Sequence, residues 1–371
     1  MGVEIRDDCI YYRGDRPCRY NRLCDGCEDY APAPHRILII KTAAAGDVLR
    51  TTSILPALKK KYPEHFITWL TAADAAPLLR NNPNINKIIT MNPLVHPTLM
   101  CMTFNLIICL DKEKEVCSLA TSHPTEEIAG VVLSPFGVPV PADERAEYYF
   151  SLGLSDDLKF IKNKKTYHEL IAEVAGLEYC GEKPELYLTD NETQYGHKIV
   201  EKLVGGDGVV LGINTGAGGR FAPKMMKMEK IVELVRLLHE RLPDVKTLLL
   251  GGPDEEQKNQ QIEKLTGGAA RDAGCRHPIR QFAGIVAQCQ CIITGDTLAL
   301  HIATALGVPT IALFGPTVHQ EIDLFGRGEK ILSPVDCSPC YRRRCDEKPY
   351  CMDLINMEEI YDAVFKLVGS R

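Results

Sequence analysis

The chain has 371 residues, 45 % of them apolar and 25 % charged, with a formal net charge of −6. That length exceeds one compact core and suits two domains, while the negative balance excludes a general nucleic-acid binder, because no global positive field is available to collect phosphates. No stretch approaches the roughly 18–20 apolar residues that cross a bilayer, and MGVEIRDDCIYYRGD lacks the apolar centre of a signal peptide. A cytoplasmic protein with at most peripheral membrane contact is therefore expected.

Residues 1–34 form a cysteine-bearing extension that ends in APAP. RILIIK (36–41) predicts a buried strand, TAAAGD (42–47) a turn, and Val48 to about Lys61 a helix with an apolar face. FITWL (66–70), a helical stretch near 74–80, KIIT (87–90) and NLIICLD (105–111) continue the pattern. The same grammar restarts at VVLGINTG (209–216), followed by a helix over roughly 228–242 and a strand in TLLLGGP (247–253). CIITGD (291–296), the helix LALHIATALG (298–307) and PTIALFG (309–315) follow, and a last helix, 357–368, is expected to pack across the region between the halves.

Strands alternating with helices predict parallel sheets covered on both faces. The expected class is α/β, with two doubly wound parallel-sheet domains facing a central cleft lined by strand C-terminal ends. The domains are a cysteine-rich extension (1–34), an N-terminal domain (35–190), a C-terminal domain (191–335), and a four-cysteine loop with its helix (336–371). A stretch around 178–206 separates the two halves.

Three turns carry candidate chemistry. In the first, Gly46 permits close approach of a ligand, and Asp47 opens a helix. Asp47 reads either as an N-cap or as a carboxylate base able to take a proton from a hydroxyl, and the two roles are compatible. In the turn TGAGGRFAPK the glycines, Gly216 first among them, let backbone N–H groups point at phosphate while Arg220 and Lys224 supply positive charge, although its spacing matches neither GxxxxGK[ST] nor GxGxxG. The third, TGDTLALH, sets Asp296, Thr297 and His301 at a helix start, where N–H groups and hydroxyl suit a diphosphate. A satisfied helix histidine is the plainer reading of His301. Asp111, ending NLIICLD, is a weaker candidate for binding acceptor hydroxyls.

Three blocks, ILIIKTAAAGDVLRTTSILPALKKKYP, INTGAGGRFAPKMMKMEKIVELV and GDTLALHIATALGVPTIALFGPT, carry a family likeness that covers most of residues 36–320. On these blocks the chain resembles glycosyltransferase family 9, the bacterial heptosyltransferases that use ADP-heptose to build lipopolysaccharide core. The resemblance implies a GT-B fold of two Rossmann-like domains, donor binding by the C-terminal one, and inversion without a catalytic metal. It implies Asp47 as base, Thr215 and Lys224 as donor phosphate contacts, and Asp296, Thr297 and His301 as the D-[ST]-G-x-x-H donor motif. Leu298 departs from that motif, where glycine is usual, and PKMMKM replaces the commoner K-R-W-P. The expected partners are a nucleotide-sugar donor, ADP-heptose favoured, and a glycan, lipid-linked or protein acceptor. Two other readings are a GT-B-fold metal-thiolate binding protein without turnover and a sugar-nucleotide epimerase.

Fifteen cysteines are present. Four at the front (Cys9, Cys18, Cys24, Cys27) have the spacing C-x8-C-x5-C-x2-C, and four at the back (Cys337, Cys340, Cys345, Cys351) have C-x2-C-x4-C-x5-C. Such quartets suit a tetrathiolate zinc or iron site, or an iron–sulfur cluster, in a structural role. One metal in each quartet, one site shared between them, and disulfides in an oxidising compartment are the competing readings. Some relatives of the heptosyltransferases are similar in carrying a C-terminal four-cysteine iron motif.

Overall fold

The computed structural model describes residues 4–205, 208–217, 224–342 and 344–368. The chain divides into two compact units: residues 1–44, 53–151 and 170–182 form the first, and 45–52, 152–169 and 183–371 the second.

In the first unit β1 (His35–Ile40), β2 (His65–Thr71), β3 (Lys87–Thr90), β4 (Phe104–Cys109), β5 (Thr125–Leu133) and β6 (Pro139–Pro141) form one sheet in the order β3-β2-β1-β4-β5-β6. All pairings are parallel except β5–β6. Leu38, Ile40, Leu70 and Ile107 are buried in its core. Strands covered on both faces have no reason to alternate polar and apolar residues, which is why RILII and LIIC read as continuous apolar runs.

The second unit repeats the arrangement with β7 (Val209–Asn214), β8 (Val245–Leu250), β9 (Ala270–Asp272), β10 (Cys291–Gly295), β11 (Thr310–Phe314) and β12 (Gly328–Leu332), ordered β12-β11-β10-β7-β8-β9 and parallel throughout. Each sheet reverses its strand order once, between β1 and β4 in one and between β7 and β10 in the other. Ligands of open α/β sheets bind at such reversals, beyond the strand C-termini.

Three sequence expectations change. The helix expected over 48–61 is broken into α1 (Ala45–Thr51), a short 3-10 turn (Thr52–Ile54) and α2 (Leu55–Lys61). Pro56 sits in the first turn of α2, where its missing N–H is harmless, but it cannot continue a helix arriving from Thr52. The stretch 178–206 contains a helix, α3 (Asp190–Val204), started by a capping box between Thr189 and Glu192. The last helix, Met357–Val368, expected across the region between the halves, buries Ile360, Ala363 and Val364 in the core of the second unit with Leu211 and Ile311.

Candidate functional site

The reversal in the second sheet builds the site. β7 ends at Asn214, β10 ends at Gly295, and α4 (Leu298–Leu306) leaves immediately after β10, stopping at Gly307 in the left-handed conformation that favours glycine. Asn214, which sequence reasoning missed, ties these ends together. Its Nδ2 donates to the Gly216 carbonyl (2.8 Å), Thr294 Oγ1 (3.1 Å) and Thr297 Oγ1 (3.2 Å). Thr297 is the N-cap residue of α4, yet its hydroxyl makes no cap hydrogen bond.

A cavity of about 400 Å³ opens here, lined among others by Asn214, Gly216, Glu255, Phe282, Thr297 and Leu298. That volume is in the range that takes a nucleotide-sized ligand. A β-carbon at Gly216 would meet the Glu255 carboxylate, so a larger residue there would displace that side chain from its place on the cavity wall. Glu255 is itself held by the Gly252 amide at 2.9 Å. Leu298, on the cavity wall, adds apolar bulk where the family's glycine has none.

Asp296 and Lys224 form a half-buried pair. The Lys224 ammonium donates to both the Asp296 carbonyl and Oδ2 at 3.0 Å. Burial alone would raise the Asp296 pKa, but Lys224 and the other nearby positive groups outweigh it and hold the carboxyl below its usual range. His301 Nε2 lies 3.9 Å from Asp296 Oδ1. Burial, with Arg50 adding to it, pushes His301 down to about 4, so it is a neutral imidazole at pH 7 and not an ion-pair partner.

Asp47 belongs to the same unit because α1 packs on α4. It lies inside the first turn of α1, which begins at Ala45, so it is not the N-cap. Arg50 NH2 stands 2.9 Å from Asp47 Oδ1 and 4.0 Å from Glu321 Oε2, and its guanidinium lies 3.7 Å above the Tyr167 ring. Tyr167 in turn meets Thr51 through its hydroxyl at 2.8 Å, and its amide donates to the Glu321 carbonyl at 3.0 Å. Burial would lower the Arg50 pKa, but Asp47, Tyr167 and Glu321 together raise it, so the guanidinium stays charged. Gly46 faces His301, whose ring a β-carbon would strike.

The remaining candidates fall elsewhere. Thr215 is buried, its hydroxyl 2.5 Å from Asn259 Oδ1 and 3.1 Å from the Leu250 carbonyl, so it secures the end of β7. Asp111, in the first unit, is buried and accepts from Lys41 Nζ (2.6 Å), the Thr42 amide (2.6 Å) and Thr42 Oγ1 (2.5 Å), holding the turn after β1. Arg220 lies outside the described residues. The cysteines are all free thiols. The front four line one cavity of about 460 Å³ and the back four one of about 50 Å³. Among the described residues, no three His, Cys, Asp or Glu side chains are gathered as they would be around a metal ion. No helix there is long and apolar enough to cross a membrane.

The model of glycosyltransferase family 9 (heptosyltransferase) matches residues 161–351, more than half of the chain. The chain belongs to glycosyltransferase family 9. It is thus a glycosyltransferase of the heptosyltransferase family, and the matched span contains the cavity, Lys224, Asp296 and His301. The lipopolysaccharide heptosyltransferase 2 of Escherichia coli (strain K12) is 25 % identical over 303 residues, which cover 76 % of this chain and 83 % of that protein. The crystal structure of a glycosyl transferase family 9 protein from Veillonella parvula DSM 2008 shares the fold with a TM-score of 0.71, at 17 % identity, over 91 % of this chain and 98 % of that one. The E. coli ADP-heptose LPS heptosyltransferase II does so with a TM-score of 0.66, at 17 % identity, over 90 % and 99 %.

Proposed function

We propose that this family 9 glycosyltransferase moves a heptose from ADP-heptose to a hydroxyl of a lipopolysaccharide-type glycan, with inversion at the anomeric carbon and without a catalytic metal. The observation that carries the reading is the second unit itself, which holds both the cavity at the β7/β10 reversal and the Asp47–Arg50 pair on α1. The relatives named for heptose transfer supply the choice of sugar, nucleotide and acceptor.

In this reading the nucleoside enters beside Phe282, with the Glu255 carboxylate positioned to accept ribose hydroxyls. The diphosphate meets the first-turn N–H groups of α4 and the Lys224 ammonium. As the bond between the anomeric carbon and the phosphate oxygen breaks, its electron pair passes to the diphosphate, where fixed donors stabilise the growing charge. The acceptor oxygen forms the new bond from the opposite face and gives its proton to the Asp47 carboxylate. Arg50 orients that carboxylate, and neutral His301 packs against Gly46 beside it. A well-placed carboxylate base contributes about 10²–10⁴ in rate.

Differential scanning fluorimetry tests the donor half of the proposal. ADP and ADP-heptose should stabilise the protein without added metal, by about 2.7 kcal/mol at a hundredfold excess over Kd, while UDP- and GDP-sugars should not. Equal stabilisation by all nucleotides, or by none, would remove ADP-heptose as the donor.

A further inference from the structure

The N-terminal segment has a defined path without a core to hold it. None of residues 4–34 is fully buried, and Ile5 and Leu23 are 62 % and 69 % exposed. Its regular pairing amounts to one bridge, Cys9 to Pro32. A segment this short that buries so little apolar surface does not offset its conformational entropy, and such segments elsewhere are held by disulfides or bound metal. All four of its cysteines are free thiols in the structure.

Those four thiols nevertheless share a location. Cys9, Cys18, Cys24 and Cys27 line the same cavity of about 460 Å³, although they come from three separate turns of the chain. Cys24 and Cys27 flank a tight turn, in which the Cys27 amide donates to the Cys24 carbonyl at 3.2 Å and Gly26 takes φ 62°. Among the described residues no three of these sulfurs are already gathered as they would be around a metal ion, so binding would have to draw them together.

We propose that Cys9, Cys18, Cys24 and Cys27 form a tetrathiolate metal site whose occupancy holds residues 4–34 in place. Four sulfur ligands select thiophilic metal, zinc or iron with or without inorganic sulfide, over calcium or magnesium. Binding replaces four S–H bonds with metal–sulfur bonds and releases the protons to solvent. The role is structural and independent of the donor site, which lies in the other unit.

The test compares full-length wild type with Cys24→Ser/Cys27→Ser, the back quartet being intact in both. Zinc, iron and acid-labile sulfide are measured per chain, and trypsin cleavage after the exposed Arg13, Arg19 and Arg22 is followed with and without a chelator. Wild type should carry one more metal centre per chain than the variant, zinc alone or iron with sulfide identifying its kind. Cleavage should rise at least tenfold in the variant and in chelated wild type, with stabilisation by ADP unchanged. Equal metal content in the two proteins would overturn the site, as would wild-type cleavage indifferent to chelation. The chelated wild-type arm keeps the test decisive if the variant fails to fold.

Discussion

Arg50 and Asp47 stand one helical turn apart on α1, with 2.9 Å between a guanidinium nitrogen and a carboxylate oxygen. The pair is not a surface bridge. Arg50 is largely buried, reaches towards Glu321, and is covered on one face by the Tyr167 ring. Asp47 keeps about a third of its side chain exposed, so the arginine is the fixed partner and the carboxylate the accessible one.

Asp47→Asn preserves shape and removes the proton acceptor. The expected result is a loss of about 10²–10⁴ in kcat, with ADP-heptose affinity within threefold of wild type by calorimetry. Arg50→Gln should lower kcat while leaving donor Kd unchanged, because it disturbs the orientation of Asp47 and touches no part of the nucleotide cavity. Its melting temperature should fall as well, since Glu321 loses a buried partner.

Lys224→Ala should act on the other half of the reaction. Loss of a charged hydrogen-bond donor from a diphosphate costs about 1.5–3 kcal/mol, so donor Kd should rise roughly ten- to a hundredfold. Isothermal titration with ADP measures this directly. Unchanged ADP affinity would mean that the ammonium serves Asp296 alone.

Gly46→Ala places a methyl group against the His301 ring. Either the ring or α1 must move, and overpacking of this kind costs about 1–3 kcal/mol. Chemical denaturation should show that loss, and kcat should fall with it because α1 carries Asp47.

Acid should destabilise the second unit through its buried imidazoles. Burial, with Arg50 adding to it, pushes His168 down to about 3 and His301 down to about 4, against ordinary values of 6.5. Both are neutral in the fold and gain protons more readily once unfolded. The stability they protect is complete above pH 6.5 and is lost as pH falls towards their folded values, for His301 amounting to about 3 kcal/mol. Denaturant midpoints measured from pH 8 to pH 4 should decline, and His301→Gln should flatten the decline.

The scaffold was largely legible because parallel strands buried on both faces write themselves as apolar runs, as in RILII and CIITG. The break in the first helix was legible in principle at Pro56, as was α3 in the Thr189–Glu192 capping box. Polar neighbours such as TDNETQ made that stretch read as a connector. Of the site, Asp47, Asp296, Thr297 and His301 announce themselves at turns between strand and helix. Arg50, Tyr167 and Glu321 do not, because each is ordinary in its own segment and acquires meaning when three distant segments meet. Asn214 was hidden differently, as the last residue of an apolar strand, where a buried amide shows its purpose only through its three partners.

The most direct test is ADP release from ADP-heptose, with heptose-deficient lipopolysaccharide core as acceptor and a chelator present, for wild type and Asp47→Asn side by side. Acceptor-dependent release by wild type, reduced at least a hundredfold in the variant, is the predicted result. Equal release by both proteins would contradict the account, and so would release that requires no acceptor.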